Sequence, residues 1–203
     1  MDPSVCAACG LDPVAVAEAY LRAGVRVLQV RVKDGRGARF LRLAERVVAA
    51  AAPYSATVIV NDRADIARLS GAAGVHVGQD DLAVEAVRAI AGPAAVVGLS
   101  THTPAQVDEA LRGEATYVAV GPVFGTRTKE TGYAARGIEL VRYAAGRGKP
   151  VVAIGGITLA SAPEVIAAGA AAVAIIGDLL ATGDPEARAR AFLAALPPRP
   201  FNV

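Results

Sequence analysis

The sequence predicts an α/β fold, a TIM-type (β/α)8 barrel whose first strand is missing or degenerate. Short apolar runs alternate strictly with helical patterns along most of the 203 residues. Such alternation with short connections implies parallel pairing through right-handed crossovers. The strand runs are nearly continuous in Val, Ile and Ala, as expected when both faces of a sheet are covered. Seven strands and eight helices can be counted, with a helix first. A closed barrel of this type needs eight strands, so the seven are expected to be its second to eighth. A doubly wound open sheet obeys the same alternation and is the alternative architecture.

Residues 1–12 carry little pattern and are expected to be irregular; either residues 1–10 supply a degenerate substitute for the first strand or the true start lies upstream of Met1. Asp12-Pro13 reads as a cap followed by proline in the first turn of a helix over 14–23, which Gly24 stops. A strand is predicted over 25–32. The helix over 38–52 aligns Leu41, Ala44, Val47 and Val48 on one stripe. A strand over 57–60 ends in Asn61-Asp62, and a short helix spans 64–70. A strand over 74–78 leads to a helix over 82–91, and a strand over 95–100 to a helix over 104–112 capped by Thr103. The strand 117–120 is closed by Gly121-Pro122, because proline lacks the donor and fixes φ. There follow a helix over 136–146, a strand over 150–154 closed by Gly155-Gly156, and a helix over 160–168 ended by Gly169. A strand over 172–176 and a helix from Asp184-Pro185 to Leu196 complete the pattern, and 197–203 is an irregular tail. No linker or composition break divides the chain, so 1–203 is expected to be a single domain.

With 54% hydrophobic and 20% charged residues the chain is globular. Aromatics are only 4%, so small aliphatics must do the packing. A net charge of +2 implies neither nucleic acid nor an anionic membrane surface as a partner. No apolar run reaches membrane-spanning length and no signal pattern opens the chain, so a cytoplasmic location is expected. Cys6 and Cys9 form a C-x-x-C pair, but the two histidines are distant in sequence, and the pair is read as incidental.

In a barrel the active site lies at the carboxyl ends of the strands. Gln29, Arg31 and Lys33 alternate with aliphatics, so one face of the first predicted strand carries all three. Burying a cation there is costly unless it is paired, which suggests a bound anion, the alternative being an edge strand with a wet face. Asn61-Asp62 and Gly78-Gln79-Asp80-Asp81 end the next two strands. Asp62 and Asp81 can flank one magnesium ion, which typically takes one or two protein carboxylates, or they can cap the helices after them. Ser100 is a polar contact at its strand end, and His102 is either a general acid or base or a structural residue. His76, within a strand, reads as a satisfied core histidine. Thr126, Arg127, Thr128 and Lys129 put two hydroxyls and two cations beyond another strand end, which suits an anion or a solvated surface loop. Gly155-Gly156 and Gly177 let backbone N–H groups approach an anion after the last two strands.

Several motifs act jointly: Gln29-x-Arg31-x-Lys33, Asn61-Asp62-Arg63-x-Asp65, Gly74-Val75-His76-Val77-Gly78-Gln79-Asp80-Asp81, Gly98-x-Ser100, Gly121-Pro122-Val123-Phe124 with Thr126-x-Thr128-Lys129, and Ala153-Ile154-Gly155-Gly156-Ile157. Over about residues 25–193 the chain resembles the thiamine-phosphate synthase family. That resemblance implies a TIM-barrel transferase of thiamine biosynthesis, joining hydroxymethylpyrimidine diphosphate to thiazole phosphate and releasing pyrophosphate. It implies that Gln29, Arg31, Lys33, Asn61, Ser100 and Lys129 contact the pyrimidine diphosphate, with Arg31, Lys33 and Lys129 stabilising the departing pyrophosphate. It further implies that Asp62 and Asp81 hold Mg2+, and that Thr126, Thr128, Gly156, Ile176 and Gly177 contact the thiazole phosphate. Two departures stand out: the absent first strand, and Gly177 where the family usually has serine. The rival readings are the related thiazole tautomerase, in which a histidine at the position of His102 is implicated, and a non-catalytic ligand-binding barrel. The charged Thr126-x-Thr128-Lys129 motif and the Asp62/Asp81 pair favour the synthase, since a tautomerase has no diphosphate to ionise. The partners implied are small phosphorylated molecules, with a homo-oligomer left open.

Overall fold

Valine-rich segments form seven strands that pair in sequence order, all parallel: β1 (Val27–Val30), β2 (Thr57–Asn61), β3 (Gly74–Val77), β4 (Val96–Thr101), β5 (Tyr117–Val120), β6 (Val151–Ile154) and β7 (Ala172–Ala174). The computed structural model describes residues 1–33, 36–125, 134–197 and 201. The connections carry helices α1 (Pro3–Ala8), α2 (Pro13–Ala23), α3 (Gly37–Ala51), α4 (Ala64–Ser70), α5 (Val84–Ala91), α6 (Pro104–Arg112), α7 (Glu139–Ala144), α8 (Ala162–Ala167), α9 (Gly177–Leu180) and α10 (Pro185–Ala195). Parity along the strands sorts the side chains. Leu28, Val30, Val58, Val60, Val75 and Val77 pack outward with Val16, Phe40 and Val47 of the helices. Tyr117, Ala119 and Val152 pack with Val96, Ala172 and Ala174 in a separate cluster on the other face, where the sheet curls on itself.

The architecture is TIM-barrel-like, but strand pairing does not close it. β1 and β7 are the two edges of the sheet. Residues 1–12 do not supply the eighth strand, nor are they irregular as expected. Asp2 caps α1 through Ser4 N, and Pro3 occupies its first turn, so the segment coils into a helix. Only Met1 lies along β1: its nitrogen donates to Gln29 O, and its carbonyl accepts from Arg31 N at 2.8 Å. That is the bonding pattern of a single parallel bridge. Helices cover the seam instead. Arg22 of α2 meets Glu186 of α10 at 2.8 Å, and Arg190 reaches the same carboxylate at 2.6 Å.

The predicted caps are present: Asp12 accepts from Val14 N and Ala15 N, Thr103 from Gln106 N, and Asp184 from Ala187 N. The first predicted strand is shorter than expected, ending at Val30 and not at Val32. The last ends at Ala174 and not at Ile176, because Ile176 is already the N-cap of the unanticipated α9. Cys6 is a core residue and Cys9 is exposed.

Candidate active site

The concave face of the sheet is polar at its carboxyl end. Asn61 of β2, His76 of β3 and Ser100 of β4 are all buried. His76 Nε2 lies 2.8 Å from Ser100 Oγ, and its Nδ1 lies 2.9 Å from the Tyr117 hydroxyl. His76 is therefore the satisfied interior histidine that its position in a strand suggests. Burial pushes the Tyr117 phenol pKa up, so the hydroxyl stays protonated and able to donate. Gly98 makes this contact sterically feasible, since a Cβ there would lie 2.1 Å from Tyr117 Cζ and 2.5 Å from His76 Nδ1. The role of Tyr117 was not legible in the sequence. Its only signal is that it shares parity with Ala119 at the head of an apolar run.

A cavity of about 400 Å³ opens at the carboxyl ends of β4 to β7. Four of the predicted residues line it, namely Ser100, Gly156, Ile176 and Gly177, and His102 and Asp178 join them. His102 Nδ1 lies 2.5 Å from Gly121 O, a pure acceptor, so Nδ1 carries the proton in that contact. The chain after β5 continues to pair with the end of β6, through Val123 N to Ile154 O and Phe124 N to Gly155 O, both at 2.9 Å. Gly156 is required where these loops meet. Its φ is 64°, and a Cβ would lie 2.4 Å from Gly125 O. Closing the cavity, α9 begins directly at Gly177, a short extra helix in the place where barrels commonly bind phosphate.

The other predicted residues among the described ones, Gln29, Arg31, Lys33, Asn61, Asp62 and Asp81, lie on or just beyond β1 to β3. Gln29 is half-buried within β1, and Lys33 is exposed beyond it. Arg31 already has one anionic partner within the chain, which engages one of its guanidinium nitrogens. Its Nη1 bonds Asp2 Oδ2 at 2.9 Å, with side-chain exposures of 12% and 3% for the pair. Asp2 was missed because nothing in the sequence links it to β1. Burial pushes the Asp2 carboxyl up, but the Ser4 hydroxyl and N–H and the Arg31 guanidinium outweigh that and hold it below its ordinary range.

Asp62 follows β2 with φ 63°, a left-handed conformation uncommon outside glycine and taken up more readily by aspartate than by most residues. Its N–H donates to His76 O at 2.8 Å while Arg63 N donates to Asn61 O at 2.8 Å. Asp81 Oδ2 accepts from Gly78 N at 2.8 Å in the turn after β3. Neither aspartate caps the helix that follows, because the cap residues of α4 and α5 are Arg63 and Ala83, without side-chain cap bonds. Within the same motif Arg63 Nε is engaged by Asp65 at 2.8 Å. Among the described residues no three His, Cys, Asp or Glu side chains gather to hold a metal. The predicted Thr126, Thr128 and Lys129 lie outside the described residues.

The thiamine monophosphate synthase family pattern matches residues 3–179. The chain belongs to the thiamine monophosphate synthase family. It is similar to a protein of Anaeromyxobacter dehalogenans named thiamine-phosphate synthase, with 44% identity over 187 residues, covering 92% of this chain and 84% of that one. A Koribacter versatilis protein of the same name is 43% identical over 181 residues, covering 89% of this chain and 84% of its own. Among solved structures the fold is similar to a thiamine phosphate pyrophosphorylase from Pyrococcus furiosus, with a TM-score of 0.84, 27% identity, and coverage of 91% of this chain and 89% of that one. For a thiamine monophosphate synthase the arrangement is chemically apt. Hydroxyl, amide and cationic groups share one rim with a cavity lined largely by glycines and aliphatic side chains. No helix among the described residues is long and apolar enough to cross a membrane.

Proposed function

We infer that this chain is a thiamine-phosphate synthase, a transferase that joins hydroxymethylpyrimidine diphosphate to thiazole phosphate and releases diphosphate. The observation that carries this reading is the shared rim: Arg31, Asn61, Asp62, Asp81, Ser100 and the glycine-walled cavity all occupy the carboxyl ends of one parallel sheet. In this reading Gln29, Asn61 and Ser100 bind the aminopyrimidine, and His76 fixes the Ser100 hydroxyl. Arg31, Lys33 and Lys129 surround the diphosphate. The C–O bond to the exocyclic methylene breaks, its electron pair leaves with the diphosphate, and the three cations stabilise that growing charge. The thiazole phosphate sits against Gly156, Ile176 and Gly177, with Thr126 and Thr128 as hydroxyl donors. So anchored, its ring nitrogen donates a lone pair to the methylene carbon and forms the new C–N bond. No protein nucleophile takes part.

The residues fit a magnesium ion. Two carboxylates stand at neighbouring strand ends, and neither caps the helix that follows it. An ion that takes one or two carboxylates and completes its shell with water and phosphate oxygens suits that donor set. Asp62 and Asp81 would hold it, and when bound it would supply positive charge to the diphosphate. A cytoplasmic location is proposed on the same footing as the substrates, which are soluble phosphorylated metabolites.

The test is direct. The protein is incubated with both substrates, with and without Mg2+, and thiamine phosphate and diphosphate are quantified. Equal amounts of both products are expected in the presence of Mg2+. Thiazole isomerisation without diphosphate release would point to a tautomerase, and no product under any condition would point to a binding-only barrel.

A further inference from the structure

Asp178 sets a carboxylate in the wall of the cavity assigned above to a phosphate dianion. On its own that charge opposes the ligand. Its partner is on another element: Arg188 of α10 places Nη2 2.7 Å and Nε 3.2 Å from Asp178 Oδ2, with side-chain exposures of 21% for Arg188 and 16% for Asp178. The same oxygen accepts from Leu159 N at 3.1 Å. One carboxylate thus ties the loop after β6 to α9 and to α10, beside β7, an edge of the sheet among the described residues. The guanidinium is itself held, since Nε also reaches Asp178 O at 3.3 Å and its carbon stands 5.6 Å from the Phe192 ring centroid.

We propose that Arg188 is a positioning and specificity-determining residue: by neutralising Asp178 it lets this cavity accept a phosphorylated thiazole while Asp178 holds the two anion-facing loops together. The proposal rests on the assignment of the thiazole phosphate to this cavity. Arg188 needs no contact with the substrate, because it acts through the carboxylate.

The two ends of the pair respond oppositely. Arg188→Met leaves a carboxylate uncompensated beside the phosphate, and KM for thiazole phosphate rises about tenfold or more, while KM for the pyrimidine diphosphate holds. The rise shrinks as salt is added, because exposed and half-buried charges are screened. Asp178→Asn leaves the cation in place, and KM for thiazole phosphate falls by about threefold. The double variant returns to within about threefold of the wild type, since no net charge has been added and Asn can still accept from Leu159 N. A mere mechanical brace gives another pattern: both single variants raise KM, salt does not matter and the double variant is no better, which overturns the proposal. Where Arg188→Met does not fold, Asp178→Asn alone decides, and a tenfold rise in its KM overturns the charge role. A wild-type protein that does not turn over thiazole phosphate removes the functional reading and this proposal together. Turnover without the opposite responses removes only this one.

Discussion

Replacing Gly98 by alanine tests whether the polar interior is built around one missing side chain. The new Cβ would lie 2.1 Å from Tyr117 Cζ, 2.3 Å from its hydroxyl and 2.5 Å from His76 Nδ1. Carbon contacts rest at about 3.5–4.0 Å, so the tyrosine ring must retreat by more than about 1 Å. Tyr117 is only 5% exposed and His76 7%, and there is no solvent to move into. Forcing a methyl group into such a core costs about 1–3 kcal/mol. Losing the 2.9 Å bond between His76 and Tyr117 leaves a buried donor or acceptor unmet, at about 1–3 kcal/mol more. Together these predict a destabilisation of about 2–6 kcal/mol and, for a chain of this length, a fall in melting temperature of about 5–20 °C. Thermal and urea unfolding measure it. The displacement also passes through His76 to Ser100, 2.8 Å away, so KM for the pyrimidine diphosphate should rise in whatever fraction stays folded. Pairing Gly98→Ala with Tyr117→Val should cost less than the two singles added, because the smaller side chain vacates the space. A Gly98→Ala protein that melts within about 1 °C of the wild type, with both KM values unchanged, would refute the reasoning.

Asp2→Asn should destabilise the protein by about 2–4 kcal/mol at neutral pH, since it strands the half-buried Arg31. The folded Asp2 pKa lies below its ordinary 3.8, so its contribution is complete above that value and disappears as pH falls through the lower folded value. The stability gap between wild type and variant should be flat above pH 3.8 and close below it in acid unfolding curves; a gap that widens on acidification contradicts the pairing. Asp62→Asn should raise the Mg2+ concentration for half-maximal activity by about tenfold or more, whereas an unchanged Mg2+ titration, or turnover after chelation, defeats the role given to Asp62 and Asp81. Lys129→Ala should lower kcat by about 10² or more, as loss of a transition-state charge contact does; an unchanged kcat removes Lys129 from the mechanism.

What could be read from the sequence was what is local. Strand ends were marked by Asn61 and Ser100, His76 within its strand read as a satisfied interior residue, and Asp12, Thr103 and Asp184 declared the starts of their helices. What could not be read depends on residues far apart along the chain. Asp2 meets Arg31 and Asp178 meets Arg188, and no spacing rule connects either pair. The strand over 172–176 failed at its end for the same reason. Ile175 and Ile176 favour a strand by propensity, but β6 stops at Ile154, whose register partner is Ala174. With no ladder left to join, the chain turns into α9.

The site is finally a matter of register. Asn61 pairs with His76, His76 with Gly98 and Gly98 with Tyr117, so these four form one row across β2, β3, β4 and β5. A slip of one residue in any pairing would send the polar member outward among Val75, Val77 and Val97 and bring a valine in. The outward face cannot host an imidazole without partners, and the inward face cannot host another Cβ at Gly98. The same valines that drive the sheet to bury its back therefore hold the polar front in alignment. A substitution that weakens the valine pattern of β3 should disturb substrate binding before it unfolds the chain.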